Sequence, residues 1–389
     1  MKFFFRLLFF LTFVVVLASV IAYARGYRFD IEKRSVKSTG IISATSNPKA
    51  AKIYVNGELK GVTDTNLTLP PENYLVEIKK EGYTSWSKKI NLKGELVINV
   101  DPVLFPVNPS LSPLTNLGII KAIPTEDGDK IVVIASGSAY LFDASKKNLP
   151  FFPPLNKIVD LSLLLNITDI KSIKVTFSPN QKQAIFALPD EALAKSGFVP
   201  AYLLSLDENN LNPLDVTLSK EALIQAWQNE KDKNNTKILE TFPRDFDKIA
   251  SSSFEIISFS PNETKILYRA KEGVKLPFMI KPPLISTNQT PEERLIIKDR
   301  VYVYDRKEDK NFLILQPNLK WYFDSRHFVV KEEKKISIID YDDTNKQTIY
   351  SGPFESFFFN PTSDGKIVVL INLNSQVNEL PDLYLVGIR

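Results

Sequence analysis

Cysteine is absent from this 389-residue chain, and histidine occurs once. The first absence excludes disulfide frameworks, thiolate metal sites and cysteine nucleophiles. The second excludes a histidine-rich metal centre. A charge excess of one sign is also missing: 49 Lys and Arg against 45 Asp and Glu leave a net charge of +4. That balance gives no reason to expect a nucleic acid partner, which calls for a clustered basic face. The chain contains no phosphate-cradling P-loop, no Gly-x-Gly-x-x-Gly and no Gly-x-Ser-x-Gly elbow. His327 opens a strand after an aromatic turn, with no Ser-His-Asp pattern around it, and reads as a packing residue. No metal, no cofactor and no catalytic residue is expected.

Long apolar runs are confined to the start. Leu7 to Ala24 is broken only by Thr12 and Ser19. Eighteen helical residues reach about 27 Å, enough for a hydrocarbon core. Lys2 and Arg6 precede the run, as in an export signal. Ala22-Tyr23-Ala24 fits a cleavage site after Ala24, whereas the length and the Phe, Leu and Val content favour an uncleaved anchor over 1–24. Arg25, Arg28, Lys33, Arg34 and Lys37 follow in a basic linker, 25–39. By the positive-inside rule these five outweigh Lys2 and Arg6 and would hold the body in the cytoplasm. The short tail and the export-like start argue instead for a body outside the membrane, which is the expectation adopted. The basic flank reads as a solvated face, with attraction to anionic headgroups as the sharper alternative.

Residues 40–101 carry a compact β pattern. Lys52-Ile53-Tyr54-Val55 runs into Asn56-Gly57, a hairpin turn. Tyr74, Val76 and Ile78 alternate with Leu75, Glu77 and Lys79, so one face points inward. With Asn47-Pro48-Lys49-Ala50-Ala51, Gly61-Val62-Thr63, Leu69–Tyr74, Glu81-Gly82-Tyr83 and Trp86, this order resembles the PEGA domain, a small β-sandwich of bacterial envelope proteins. Two positions depart from that pattern. Pro-Glu-Gly-Ala stands as Pro48-Lys49-Ala50-Ala51, and Asn73 replaces a glycine, a change a left-handed Asn would tolerate. The resemblance implies a non-catalytic envelope module. Tyr83 and Trp86 are the candidate binding surface, able to stack on a sugar or a partner, or to pin the last hairpin to the core. Four prolines within Asp101–Pro113 predict a stiff spacer over 102–113.

From 114 to 389 one phrase recurs: an aromatic anchor, a polar turn, then a buried strand. Phe259-Ser260-Pro261-Asn262, Phe177-Ser178-Pro179-Asn180, Trp321-Tyr322-Phe323-Asp324-Ser325 and Phe359-Asn360-Pro361 carry it, with a weaker copy at Ile123–Gly128. Units that cannot bury their own faces must stack on one another. The phrase resembles the repeat of Tol-type periplasmic and bacterial WD-like (WD40-like repeat) propellers. That implies a mainly β chain: an irregular β-propeller of five to seven blades behind the transmembrane helix and the sandwich. The widest gap, Phe177 to Phe259, predicts a helical insertion at about 213–250. Ser219 would cap it, with Leu223, Ile224 and Trp227 on one side. Pro282–Pro291 reads as a second long loop.

Two functional classes remain. One is a membrane-tethered, non-catalytic scaffold binding a protein, peptide or cell-wall glycan. The other is a hydrolytic, carbohydrate-active propeller using paired carboxylates. Asp340-Tyr341-Asp342-Asp343 lacks calcium-loop spacing and reads as a solvated hairpin turn. Thr362-Ser363-Asp364-Gly365 is similar to a sialidase Asp-box but lacks the Thr and Trp that should follow.

Overall fold

The structure, a computed structural model, describes residues 2–24, 27–30, 35–144, 155–164, 167, 169–189, 199–355, 358–373 and 379–388. Helix α1, Lys2–Ala24, contains the apolar run. Its window Phe3–Tyr23 has a mean hydropathy of 2.6 and no part of it is buried. The two polar interruptions do not break it. Thr12 Oγ1 donates to Leu8 O at 2.7 Å and Ser19 Oγ to Val15 O at 2.8 Å, so each hydroxyl is satisfied within its own helix. Arg25, Lys33 and Arg34 of the predicted basic linker lie outside the described residues. Within that linker β1, Tyr27–Asp30, pairs antiparallel with β2, Ser35–Ser38.

The chain divides into two compact units. The first holds 1–107 together with 280–293 and 308–310, which includes the predicted loop Pro282–Pro291. Its core is a two-sheet sandwich. One sheet orders β6 (Thr65–Leu69), β3 (Gly40–Ala44) and β9 (Val97–Val100). The other orders β5 (Glu58–Val62), β4 (Lys52–Val55), β7 (Asn73–Lys79) and β8 (Trp86–Asn91). In β7 the alternation is as the sequence requires: Tyr74, Val76 and Ile78 are buried and face Ile42, Ile53 and Ile98. Asn56 and Gly57 both adopt positive φ, 51° and 84°, the geometry of a hairpin turn whose twist matches its strands.

Two expectations are corrected here. Asn73 does not take the left-handed role; it opens β7 in register with Asn91, so the turn before it is made without a positive φ at 73. The segment 102–113 is not a free spacer. Leu104 enters the sandwich core, its N–H donating to Asn47 O at 2.7 Å, and Phe105 O accepts from Thr84 N at 2.7 Å. Buried apolar side chains override the stiffening effect of the prolines. Ser110–Pro113 is a strand of the second unit.

Among the described residues of the second unit, five four-stranded antiparallel sheets follow one another. Blade I comprises Ile119–Pro124, Lys130–Ala135, Ser138–Asp143 and Leu155–Asp160. Blade II comprises Lys174–Phe177, Gln183–Ala187, Ala201–Ser205 and Leu214–Asp215. Blade III comprises Phe254–Phe259, Lys265–Ala270, Val301–Asp305 and Lys310–Ile314, and blade IV comprises Leu319–Trp321, His327–Lys331, Lys335–Asp340 and Gln347–Ser351. Blade V takes Phe359–Pro361, Ile367–Ile371 and Asp382–Gly387, then borrows Ser110–Pro113 as its fourth strand. The borrowed strand is exposed and the first strand buried, which sets first strands inward and fourth strands outward. A ring closed by a strand from its own beginning is a β-propeller with no long open edge. Asp382 secures the closure, accepting from Leu117 N at 2.7 Å and Thr115 Oγ1 at 3.0 Å.

Neighbouring blades share cores. Val132, Leu141, Phe186 and Leu204 join I to II; Val133, Phe142, Val368 and Leu383 join I to V; Leu267, Val303, Phe328 and Val330 join III to IV. Between II and III the insertion supplies the cover instead. Helix α2, Lys220–Leu239, lays Leu223, Ile224 and Trp227 on Ile185, Ala187 and Ala201 of blade II. Leu239, Phe242 and α3, Arg244–Ser253, pack Phe246 and Ala250 on Phe254, Tyr268 and Tyr304 of blade III. Two helices therefore stand in a blade's place. Ser219 precedes α2 as predicted, but its side chain makes no cap bond; the hydroxyl turns back toward Val216 O at 3.5 Å.

Phe246 is wholly buried and stacked on Tyr304 at 4.0 Å. Phe246→Ala should lower unfolding free energy by about 3–5 kcal/mol, as large-to-small core changes do. Urea unfolding of the full chain in detergent measures it, with exposed Asn234→Ala changing stability by no more than about 0.5 kcal/mol.

Candidate binding surface

The recurring phrase forms the turn between the first and second strands of every blade, and its chemistry is local. Ser178 Oγ donates to Asn180 Oδ1 at 2.8 Å and accepts Gln183 N at 3.0 Å. Ser260 repeats this with Asn262 Oδ1 and Lys265 N, both at 3.0 Å. Thr125 with Asp127, and Thr362 with Asp364, do the same at 2.7 and 2.6 Å. The hydroxyl and the Asn or Asp together hold the next residue left-handed: Gln181, Glu263, Gly128 and Gly365 have φ of 54°, 56°, 78° and 81°. Glycine survives at two of these for a further reason. A Cβ on Gly128 would lie 2.4 Å from Pro361 O, and one on Gly365 would lie 2.6 Å from Phe323 Cε1. The neighbouring blade leaves no room there.

These turns are bonded to one another at every seam but that between blades II and III, where the helices intervene. Asn360 Nδ2 donates to Gly128 O at 2.6 Å and Ser363 N to Asp129 Oδ1 at 2.9 Å, linking V to I. With its amide turned so that nitrogen faces the acid, Gln181 donates to Asp127 Oδ2 at 2.8 Å, linking II to I. Asn262 N donates to Ser325 Oγ at 3.0 Å between III and IV, and Tyr322 OH to Gly365 O at 2.7 Å between IV and V. Helix α2 joins the same face where Lys231 pairs with Glu126. The result is a polar, braced face in which the turns support one another. The Thr362–Gly365 stretch is simply the blade V member of the set.

Blade IV solves the turn differently. Tyr322 replaces the hydroxyl residue, so Asp324 Oδ1 takes the N–H groups of Arg326 and His327 at 2.9 and 3.1 Å. The His327 ring, 5% exposed, lies between Asp324 Oδ2 at 2.7 Å and Asp340 Oδ1 at 3.2 Å. Burial alone would lower its pKa, but the hydrogen bonds and charges of the two carboxylates outweigh burial and raise it to about 9. The lone histidine is a buried cation in a carboxylate clamp. Asp340 also accepts from Asn345 Nδ2 at 2.9 Å, and Asp342 from Thr344 Oγ1 at 2.5 Å. The 340–343 cluster is thus built into the blade, with Asp342 3% exposed, and is not the solvated turn that its spacing suggested. Turn hydroxyls and the histidine draw the acids inward.

Two inner-strand lysines were not singled out by sequence. Lys121 Nζ donates to Ile173 O at 2.6 Å across the I–II seam, and burial lowers its pKa. Lys320 Nζ donates to Phe359 O at 3.1 Å and stands 5.1 Å from the Phe359 ring. Burial lowers its pKa to about 8, and no carboxylate among the described residues pairs with it. Tyr83 and Trp86 belong to the sandwich. Both are partly buried against its core, Tyr83 bridging Pro106 and Trp86 paired with Ile78 at the start of β8. Among the described residues no three His, Asp or Glu side chains converge as a metal site would require.

The two shifted groups make opposite predictions. His327 has a folded pKa above its unfolded value, so its stabilisation is complete below about 6.5 and is lost as pH rises through about 9. His327→Gln should be less stable than wild type at pH 6 and should lack that decline in an unfolding-midpoint series from pH 6 to 10. Lys320 has a depressed pKa, so its burial costs stability below about 8 and the cost fades toward the unfolded value of 10.5. Lys320→Met should therefore unfold at higher urea than wild type at pH 7, with the gain shrinking by pH 10.

Comparison with known proteins covers part of this chain. No curated protein matches it. Among solved structures, a TolB from Agrobacterium tumefaciens is 11% identical over 68% of this chain and 70% of that one, with a TM-score of 0.21. So loose an overlay carries no argument, and the propeller rests on the strand pairing described above. Residues 39–108 match the family model of the PEGA domain, a span that takes in β3 to β9 and the 102–107 segment packed on them.

Proposed function

We propose that the chain is a membrane-tethered envelope protein whose propeller recognises a partner without turning it over, α1 serving as a single-pass anchor with the body outside the cytoplasm. The observation that carries the recognition role is the set of turns bonded from blade to blade. A face held rigid before a partner arrives loses little conformational freedom on binding, which favours affinity. Its polar Asn, Asp, Ser and Gln groups suit a protein, a peptide or a cell-wall glycan. The acids that meet in blade IV support the binding role over hydrolysis. Asp324 and Asp340 flank His327 and are committed to it rather than to a substrate. Helix α1, wholly unburied over Phe3–Tyr23, and the PEGA match support the envelope placement.

Two measurements test this reading. Protease added to intact cells should degrade the body while leaving cytoplasmic controls whole; survival of the body places it inside. A photo-crosslinker at Asn180 or Ser363 of the full chain in cells should give discrete adducts, and one at outward Leu214 should not. Absence of adducts from the turn face, together with turnover of a glycan panel, would replace the binding role with the hydrolytic one.

A further inference from the structure

The first unit carries an open surface groove of about 420 Å³ between the 71–73 and 91–94 turns, with Ser38 also in its lining. Register places its charges. Asn73 pairs with Asn91, and Leu92 N donates to Glu72 O at 2.9 Å, so Glu72 and Lys93 stand on facing strand ends. The side chains of Glu72, Asn73, Asn91 and Lys93 have no hydrogen-bond or ion-pair partner among the described residues, which leaves one cation, one anion and two amides around a single opening.

The groove lies beside the end of α1. Ser38 is the register partner of Tyr27, whose hydroxyl donates to Glu95 Oε1 at 2.6 Å. Tyr27 stands three residues beyond Ala24, the last residue of α1. Three residues reach at most about 10 Å and a cross-strand step adds about 5 Å, so the groove opens within roughly 15 Å of the helix end. If α1 spans a bilayer, that distance is headgroup territory.

We propose that this groove takes the zwitterionic headgroup of a membrane phospholipid, its phosphate on Lys93 and its ammonium on Glu72. A purely anionic headgroup would set its phosphate against Glu72, and an uncharged sugar would leave both charges unanswered. A phosphate and an ammonium joined by a short linker answer both, and charge-assisted hydrogen bonds are the stronger kind. Asn73 and Asn91 supply donors for the remaining phosphate oxygens. A weak site suffices, because a tether a few residues long holds the groove at a high effective concentration of headgroups. The proposal rests on the membrane-anchored reading above.

The test uses the full chain in lipid nanodiscs. Co-elution with the discs checks the anchor first. Amide hydrogen exchange is then compared between phosphatidylethanolamine discs, phosphatidylglycerol discs and an uncharged detergent. Exchange at 72–73 and 91–94 is expected to slow several-fold in the phosphatidylethanolamine discs alone. Glu72→Lys or Lys93→Glu should each abolish that protection and the double exchange restore it, with Val76 and Ile78 amides reporting that every variant is folded. A chain that does not co-elute removes the anchored reading and this proposal with it. A chain that co-elutes but exchanges equally in all three overturns the proposal alone. So does protection confined to phosphatidylglycerol, which makes Lys93 a plain anion contact. Equal protection by free phosphoethanolamine in detergent also overturns it, by identifying a soluble ligand.

Discussion

The second unit depends on one constraint: every blade is apolar on both faces, so each face must be covered by something next to it. In blade II, Ala184 and Phe186 turn toward blade I while Ile185 and Ala187 turn the other way. An alternating strand has no third option. Where the next sheet is missing, the chain lays Leu223, Ile224 and Trp227 of a helix over the bare face. The requirement is for apolar area at the right distance, and a helix meets it as well as a strand does. The ring can thus be irregular in content and still closed.

The turns obey a second rule, which explains why the repeat looked ragged. A left-handed residue is needed in each, yet only Gly128 and Gly365 are glycine. Elsewhere the hydroxyl and the carboxylate or amide two residues on provide enough hydrogen bonding to hold Gln181 or Glu263 in that conformation. Glycine is kept where a neighbouring blade presses on the backbone. Blade IV shows the limit of this tolerance: once tyrosine displaces the hydroxyl, an aspartate and a buried histidine carry the turn.

The sequence made the five anchors legible because aromatic residue, turn and strand are consecutive, and each anchor proved to head one sheet. The alternation in β7 was legible for the same reason. What depends on distant partners was not. Nothing local to Lys320 says that its ammonium meets a carbonyl and a ring of the following blade, and nothing local to Asp340 says that a histidine waits opposite. The prolines around Leu104 suggested stiffness, while the cavity that Leu104 fills is made by residues far upstream. The pairing of Tyr27 with Ser38 was hidden among basic residues that read as a solvated linker.

The strand that closes the ring has one further consequence. Only two residues separate Ser110 from Val107, where the chain first leaves the first unit, and Ser110–Pro113 is the outermost strand of blade V. Any mechanical load entering the second unit along the chain from its N-terminal side arrives first at that seam, and the ladder from Ser110 to Pro113 against Gly387 to Tyr384 bears it. Whatever tugs on this protein tugs on the clasp of its own ring.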